Sequence, residues 1–248
     1  MLYLLRQRNF GLLWFGGLIS YIGNWITLVA LPVYIYTLTG SYLATGATWM
    51  AFMLPSVVLG SVAGVYVDRW DRRVTMLVTN LLDVPLTLAL LFVHSADQLW
   101  LVYLVTLLRS TASNFMSPAE GALLPKLVGD EHLPTANALN TLNDNLARLI
   151  GPAIGGAVLA YLGFSYAVLL DAVSFAVAAA LIALIRAPRS ITRAVVAEEA
   201  HDKPPNIWRE WLEGLRLVRG SRLISLLFVL AGISMLSEGF FEVVIIPF

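Results

Sequence analysis

Six stretches of this 248-residue chain are apolar for long enough to cross a lipid bilayer as helices. They lie near residues 10–37, 43–67, 74–94, 99–117, 135–161 and 165–186, with residues 118–134 expected as a long link between the fourth and fifth. A bilayer core of about 30 Å takes about 20 residues of helix. No soluble domain of this size could hide six such runs: the chain is 58% apolar and 13% charged, where soluble domains carry roughly 25% charged residues. The first run follows Arg6 and Arg8 but is too long for a signal peptide, so it reads as an uncleaved helix. A seventh run begins near residue 223 and continues to Phe248. The expectation is an all-α polytopic membrane protein. Residues 1–186 form a six-helix transmembrane bundle, 187–222 a polar linker, and 223–248 part of a seventh helix.

Positive charge orients these helices. Lys and Arg collect in cytoplasmic loops. With the N-terminus inside, the inner segments hold Arg6 and Arg8, then Arg69, Arg72 and Arg73, then Lys126, and the linker holds the rest apart from Arg109 and Arg148. The three outer loops hold none. The reading is a multi-pass protein of the inner (plasma) membrane with a cytoplasmic N-terminus. Within the linker, Ile207, Trp208, Trp211, Leu212 and Leu215 recur at helical spacing. They suggest an amphipathic helix on the inner membrane surface, or a helix that docks a partner.

Charges inside the spans mark cavities or partners, because lipid does not solvate them. Arg109 lies near mid-depth in the fourth span, Asp83 in the third, Asp144 and Arg148 in the fifth, and Asp171 in the sixth. Asp144 and Arg148 are spaced either for a structural i,i+4 pair or for a place on a substrate or proton path. Arg109 either ties helices together, through carbonyls or Asp83, or belongs to the same path. Asp83 and Asp171 read as structural. Asn24, in the first span, could bond a substrate or another helix. In the fifth span Asn137, Thr141, Asp144, Arg148, Gly151 or Pro152, and Gly155 share one face, which should meet a helix or a water-filled cavity.

Several classes are excluded. There is no cysteine, and the three histidines are scattered, so no metal cluster is formed by these residues. No phosphate-binding loop, HExxH or GxSxG occurs. An enzyme is not expected, nor a bound cofactor. The net charge of zero gives no sign of nucleic-acid binding.

The segment "GVYVDRWDRR" (64–73) resembles the loop between helices two and three of the major facilitator superfamily, at Gly64, Asp68, Arg69, Arg72 and Arg73. Asp71 stands where the general pattern has glycine. "GPAIGG" (151–156) is similar to the helix-five antiporter signature, at Gly151, Pro152, Gly155 and Gly156. Arg109 aligns with the helix-four arginine that the superfamily uses in proton coupling, without the flanking Gln and Gly. "SPAEGALLPKLV", "LPTANALN" and "WLEGLRLVRGSRL" look like the drug:proton antiporter branch that includes macrolide and siderophore exporters.

The resemblance implies two six-helix bundles rocking about a central site, of which this chain supplies the N-terminal one and a truncated seventh helix. It implies efflux of a hydrophobic or amphipathic small molecule, with a proton gradient as energy source. Asn24, Arg109, Asp144 and Arg148 would line the pathway. Gly64, Asp68, Arg69, Arg72 and Arg73 would form a cytoplasmic latch, its arginines bridging to acids. The partners are then the bilayer, the substrate, protons, and a C-terminal bundle in the same chain or another. Two alternatives stand beside this reading: a truncated half that does not transport alone, and an uptake or lipid transporter on the same fold.

Overall fold

The computed structural model describes residues 2–186, 220–221, 224–227, 229–230 and 232–234. Side chains at 61–65, 68 and 69 are outside that description. The chain divides into two units, 1–190 and 191–248. The expected amphipathic segment and most of the expected seventh helix lie outside the described residues.

The first unit is helical, with no strand among its described residues. A short helix α1 (Leu2–Arg6) precedes six long ones: α2 (Arg8–Thr39), α3 (Tyr42–Arg69), α4 (Arg72–Ala89), α5 (Leu99–Val128), α6 (Leu133–Tyr161) and α7 (Phe164–Ala183). Connections of a few residues force the helices to alternate in direction. Gly40, at φ 61°, closes α2 in the left-handed conformation, which glycine adopts without steric cost. Ser41 then caps α3 by accepting from the Ala44 amide.

Helices α2, α3, α4, α6 and α7 are long and apolar enough to cross a membrane. The fourth expected span, α5, is the most interrupted, because Arg109, Ser110, Thr111, Ser113 and Asn114 follow one another closely. It also corrects an expectation. Residues 118–134 do not form a long link: α5 continues through Pro118 and Pro125 to Val128. A proline removes one backbone donor, but buried Ala119, Leu123, Leu124 and Val128 keep that stretch of α5 packed in the core.

Two apolar clusters make up the core. One, at the end that carries the basic turns, joins Phe10, Trp14, Met76, Leu124, Leu139 and Ile182. The other, at the opposite end, joins Ile26, Ile35, Leu90, Val105, Val158 and Phe164. Between them the long helices contribute buried polar groups: Ser20 and Thr27, then Thr45 and Thr48, then Asn80 and Asp83, then Thr106 and Ser110, then Asp171 and Ser174. Helix α6 adds Asn143. A polar belt therefore crosses the middle of the unit.

Helix α2 is the most widely bonded element. At the basic end the Asn9 amide donates to the Arg186 carbonyl and accepts from the Arg186 amide, both at 3.0 Å. Further along, Trp14 Nε1 donates to the Leu139 carbonyl at 2.8 Å, and Asn143 Nδ2 donates to the Trp14 carbonyl at 2.7 Å. At the other end Tyr34 stacks on Phe164, with centroids 3.9 Å apart, and donates to the Val93 carbonyl.

Candidate functional site

The polar belt borders a cavity of about 1000 Å³, counting the open space at its mouth. Helix α2 contributes Tyr21, Asn24 and Thr27, α3 contributes Trp49 and Phe52, and α7 contributes Phe175. Asp83 comes from α4 and Arg109 from α5. Aromatic faces with a few convergent polar groups suit a small amphipathic molecule. The Trp49 indole N–H is buried and has no hydrogen-bond partner, so it remains free to donate to a ligand.

Arg109 organises the belt. Its Nη2 donates to Asp171 Oδ2 at 2.9 Å and to Asn24 Oδ1 at 3.2 Å. Its Nε lies 3.7 Å from Asp83 Oδ1, an ion-pair distance too long for a hydrogen bond. Its guanidinium carbon stands 5.2 Å from the centre of the Phe175 ring, within range of a cation–π contact. One side chain thus connects α5 to α2, α4 and α7. The two acids differ in setting: Asp171 has no exposure, whereas Asp83 borders the cavity. Gly23 makes the Asp171 contact possible. A Cβ there would lie 2.0 Å from Ser174 Oγ and 3.0 Å from Asp171 Oδ1.

Of the residues expected on the pathway, Asn24 and Arg109 meet in this cluster. Asp144 and Arg148 do not line the cavity and are exposed on α6 in this unit. The face they were expected to share with the glycines is split. Gly151 and Gly155 belong instead to a buried ridge with Leu139, Asn143 and Ala147, at the four-residue spacing that packs between crossed helices. A Cβ on Gly155 would lie 2.9 Å from the Ile26 Cα, and one on Gly151 2.3 Å from the Trp25 Cβ. Pro152 is half-buried, and Gly156 is exposed with nothing within 4 Å of a Cβ.

In the charged turn, the backbone of Gly64, Asp68 and Arg69 is the last stretch of α3. Asp71 caps α4 by accepting from the Val74 amide at 3.0 Å, with φ −70°. That conformation needs no glycine, which accounts for the departure from the superfamily pattern. Arg73 reaches backbone carbonyls. Its Nε donates to the Ile182 carbonyl at 3.1 Å and its Nη2 to the Ala183 carbonyl. A cation there satisfies the open carbonyls at the C-terminus of α7. Arg72 also has a polar partner. In the part of α5 beyond its apolar run, burial pushes the Lys126 ammonium below the ordinary lysine range. Arg72 adds to this and Asp71 opposes it.

A second polar node was not singled out from the sequence. The Tyr21 hydroxyl donates to Glu120 Oε2 at 3.1 Å, and Asn140 Nδ2 donates to Glu120 Oε1 at 2.9 Å. It links α2, α5 and α6. Glu120 falls in the segment expected to be a loop, so its depth in the bundle was hidden. The rank of Asp171 was also missed; a lone acid in the most apolar helix was the available signal.

A family model described as transmembrane secretion effector matches residues 2–239. Macrolide efflux protein A of Streptococcus pyogenes is 26% identical over 226 residues, which is 90% of this chain and 54% of that protein. Multidrug efflux pump Tap of Mycolicibacterium fortuitum is 32% identical over 160 residues, 61% of this chain and 39% of that protein. The uncharacterized MFS-type transporter YfiS of Bacillus subtilis (strain 168) is 30% identical over 143 residues, 57% of this chain and 34% of that protein. The chain spans about half the length, or less, of these curated relatives.

Proposed function

Because the chain belongs to the transmembrane secretion effector family of the major facilitator superfamily, we propose that it supplies one half of a proton-driven exporter of hydrophobic or amphipathic small molecules. Its family and relatives are membrane transporters and not enzymes. The observation that carries the finer reading is the Arg109 cluster on the wall of an aromatic cavity at the middle of the bundle. Names of relatives with macrolide and multidrug efflux support the substrate class.

In this reading Asn24 and Arg109 act on the pathway, and the aromatic walls hold the apolar body of the substrate. Asp144 and Arg148, exposed on α6, belong to the same pathway outside this cavity. Residues 187–222 connect the bundles and 223–248 begin the second. The basic end lies in the cytoplasm, and the charged turn there works as the latch, with Arg73 anchoring it to α7. A charge change in the belt biases the two access states, because it alters their relative energies.

The test is export by the full-length protein in everted membrane vesicles, with ethidium and erythromycin as probes. Concentrative uptake that a protonophore abolishes is the expected outcome. Uptake at an undiminished rate with the gradient collapsed rejects proton coupling.

A further inference from the structure

Two carboxylates share one guanidinium at the centre of this bundle, and their positions are unequal. Asp171 Oδ2 receives the direct hydrogen bond from Arg109 at 2.9 Å and is closed off from the cavity. Asp83 stands off at 3.7 Å and borders the cavity. With both acids ionised the cluster carries one uncompensated negative charge in a medium that solvates charge poorly. With one acid protonated it is neutral.

The charged groups that face Asp83 are few. Helix α5 presents Arg109 and α7 presents Asp171. Helix α3 brings Thr48, Trp49 and Phe52 to the same cavity, none of them charged, and α2 brings neutral Asn24. The cluster can therefore be balanced by a proton, and the acid in reach of one is the acid that borders the cavity.

We propose that Asp83 is the carboxyl in this half that takes up and releases the transported proton, while Arg109 and Asp171 remain a fixed ion pair. This rests on the exporter reading above. It adds a proton site that neither the superfamily signature nor the apolar-span pattern singles out. Protonation converts the Asp83 carboxylate to a carboxylic acid with a proton from cavity water, and release returns it. The cluster alternates between one net negative charge and none, and Arg109 keeps its hydrogen bond to Asp171 throughout.

The first readout needs no substrate. Infrared difference spectra between mildly acidic and mildly alkaline pH are recorded on purified full-length protein in lipid. The wild type is expected to show a protonated carboxyl band that Asp83→Asn removes and whose frequency the charge-conserving Asp171→Glu leaves unchanged. Asp83→Glu should keep a band at a shifted frequency, which decides the matter if the asparagine variant does not fold. A spectrum unchanged in Asp83→Asn, or unshifted in Asp83→Glu, overturns the proposal whatever transport does.

The second readout is ethidium accumulation in everted vesicles. Asp83→Asn should lose more than tenfold in protonophore-sensitive accumulation. If the wild type is proton-driven and Asp83→Asn remains so, Asp83 is not the carrier and the exporter reading survives. If wild-type export ignores the protonophore, the exporter reading fails and takes this proposal with it.

Discussion

Arg109 on α5 donates to Asp171 on α7 at 2.9 Å, and the Asp171 side chain is completely buried. Removing one member of such a pair leaves the other as an uncompensated buried charge, which costs about 3–5 kcal/mol. Replacing both by apolar residues of similar volume costs much less. Asp171→Ala should therefore lower the unfolding temperature of the purified protein sharply, and the pair Arg109→Met with Asp171→Leu should recover most of the loss. Export should fail in both. A double variant as unstable as the single one would mean that the pair does not act as a unit.

The glycines of "GPAIGG" should separate cleanly. Gly151 and Gly155 touch α2 so closely that an added methyl would overlap Trp25 or the Ile26 backbone, and Gly156 meets nothing. Overpacking of this kind costs about 1–3 kcal/mol. Gly155→Ala should be destabilised by that amount in thermal unfolding, and Gly156→Ala should match the wild type. Gly23→Ala, which pushes Ser174 away from α2, belongs with Gly155→Ala and should also weaken export.

Arg73→Ala should loosen the end of α7. Hydrogen bonds from a charged donor are worth about 1.5–3 kcal/mol each at most, and part of this side chain is exposed, so a total near 1–2 kcal/mol is expected. Amide exchange at the last turn of α7 is the measurement. Faster exchange there, with the α2–α6 contact unchanged, is the expected pattern.

Tyr21→Phe should leave the half-buried Glu120 carboxylate with one donor fewer. A lost partner for a buried group costs about 1–3 kcal/mol. Chemical denaturation of Tyr21→Phe, Asn140→Leu and the double variant measures the coupling. Additive effects would show that Glu120 does not join the two donors.

A cavity with one net negative charge at high pH attracts a cation, and the same cavity neutralised by a proton does not. Ethidium affinity of the wild type, followed by its fluorescence, should rise with pH. In Asp83→Asn the cluster is neutral at every pH, so the curve should be flat and low. An unchanged curve would place the titrating group elsewhere.

Much of this was legible in the sequence. Apart from the extension of α5 to Val128, apolar runs placed the long helices to within a few residues, and the position of Arg109 among apolar neighbours marked the belt. The rest required three dimensions. Which acid pairs with Arg109 depends on how closely α7 approaches α2, and that turns on the missing side chain of Gly23. Periodicity assigned Gly151 and Gly155 to the face of Asp144 because it treats a helix as an isolated cylinder. The crossing of α6 over α2 selects a slanted ridge instead. Glu120 was lost because residues 118–134 fall between two apolar runs, where core packing nonetheless sustains a helix.

Helix α2 is fastened to the far end of α7 through Asn9 and Arg186 and to its near end through Tyr34 and Phe164. Two attachments separated by nearly the full length of a rod leave it no freedom to tilt or slide alone. The two helices form a strut, and Asn24 and Asp171 ride on it with a constant separation. Whatever motion opens or closes the cavity must be carried by the helices that lean on this strut. Arg109 reaches from α5 to the strut through its bond to Asp171, so Asp83 on α4 is the movable side of the contact, and the length that can vary in the cluster is its distance from Arg109.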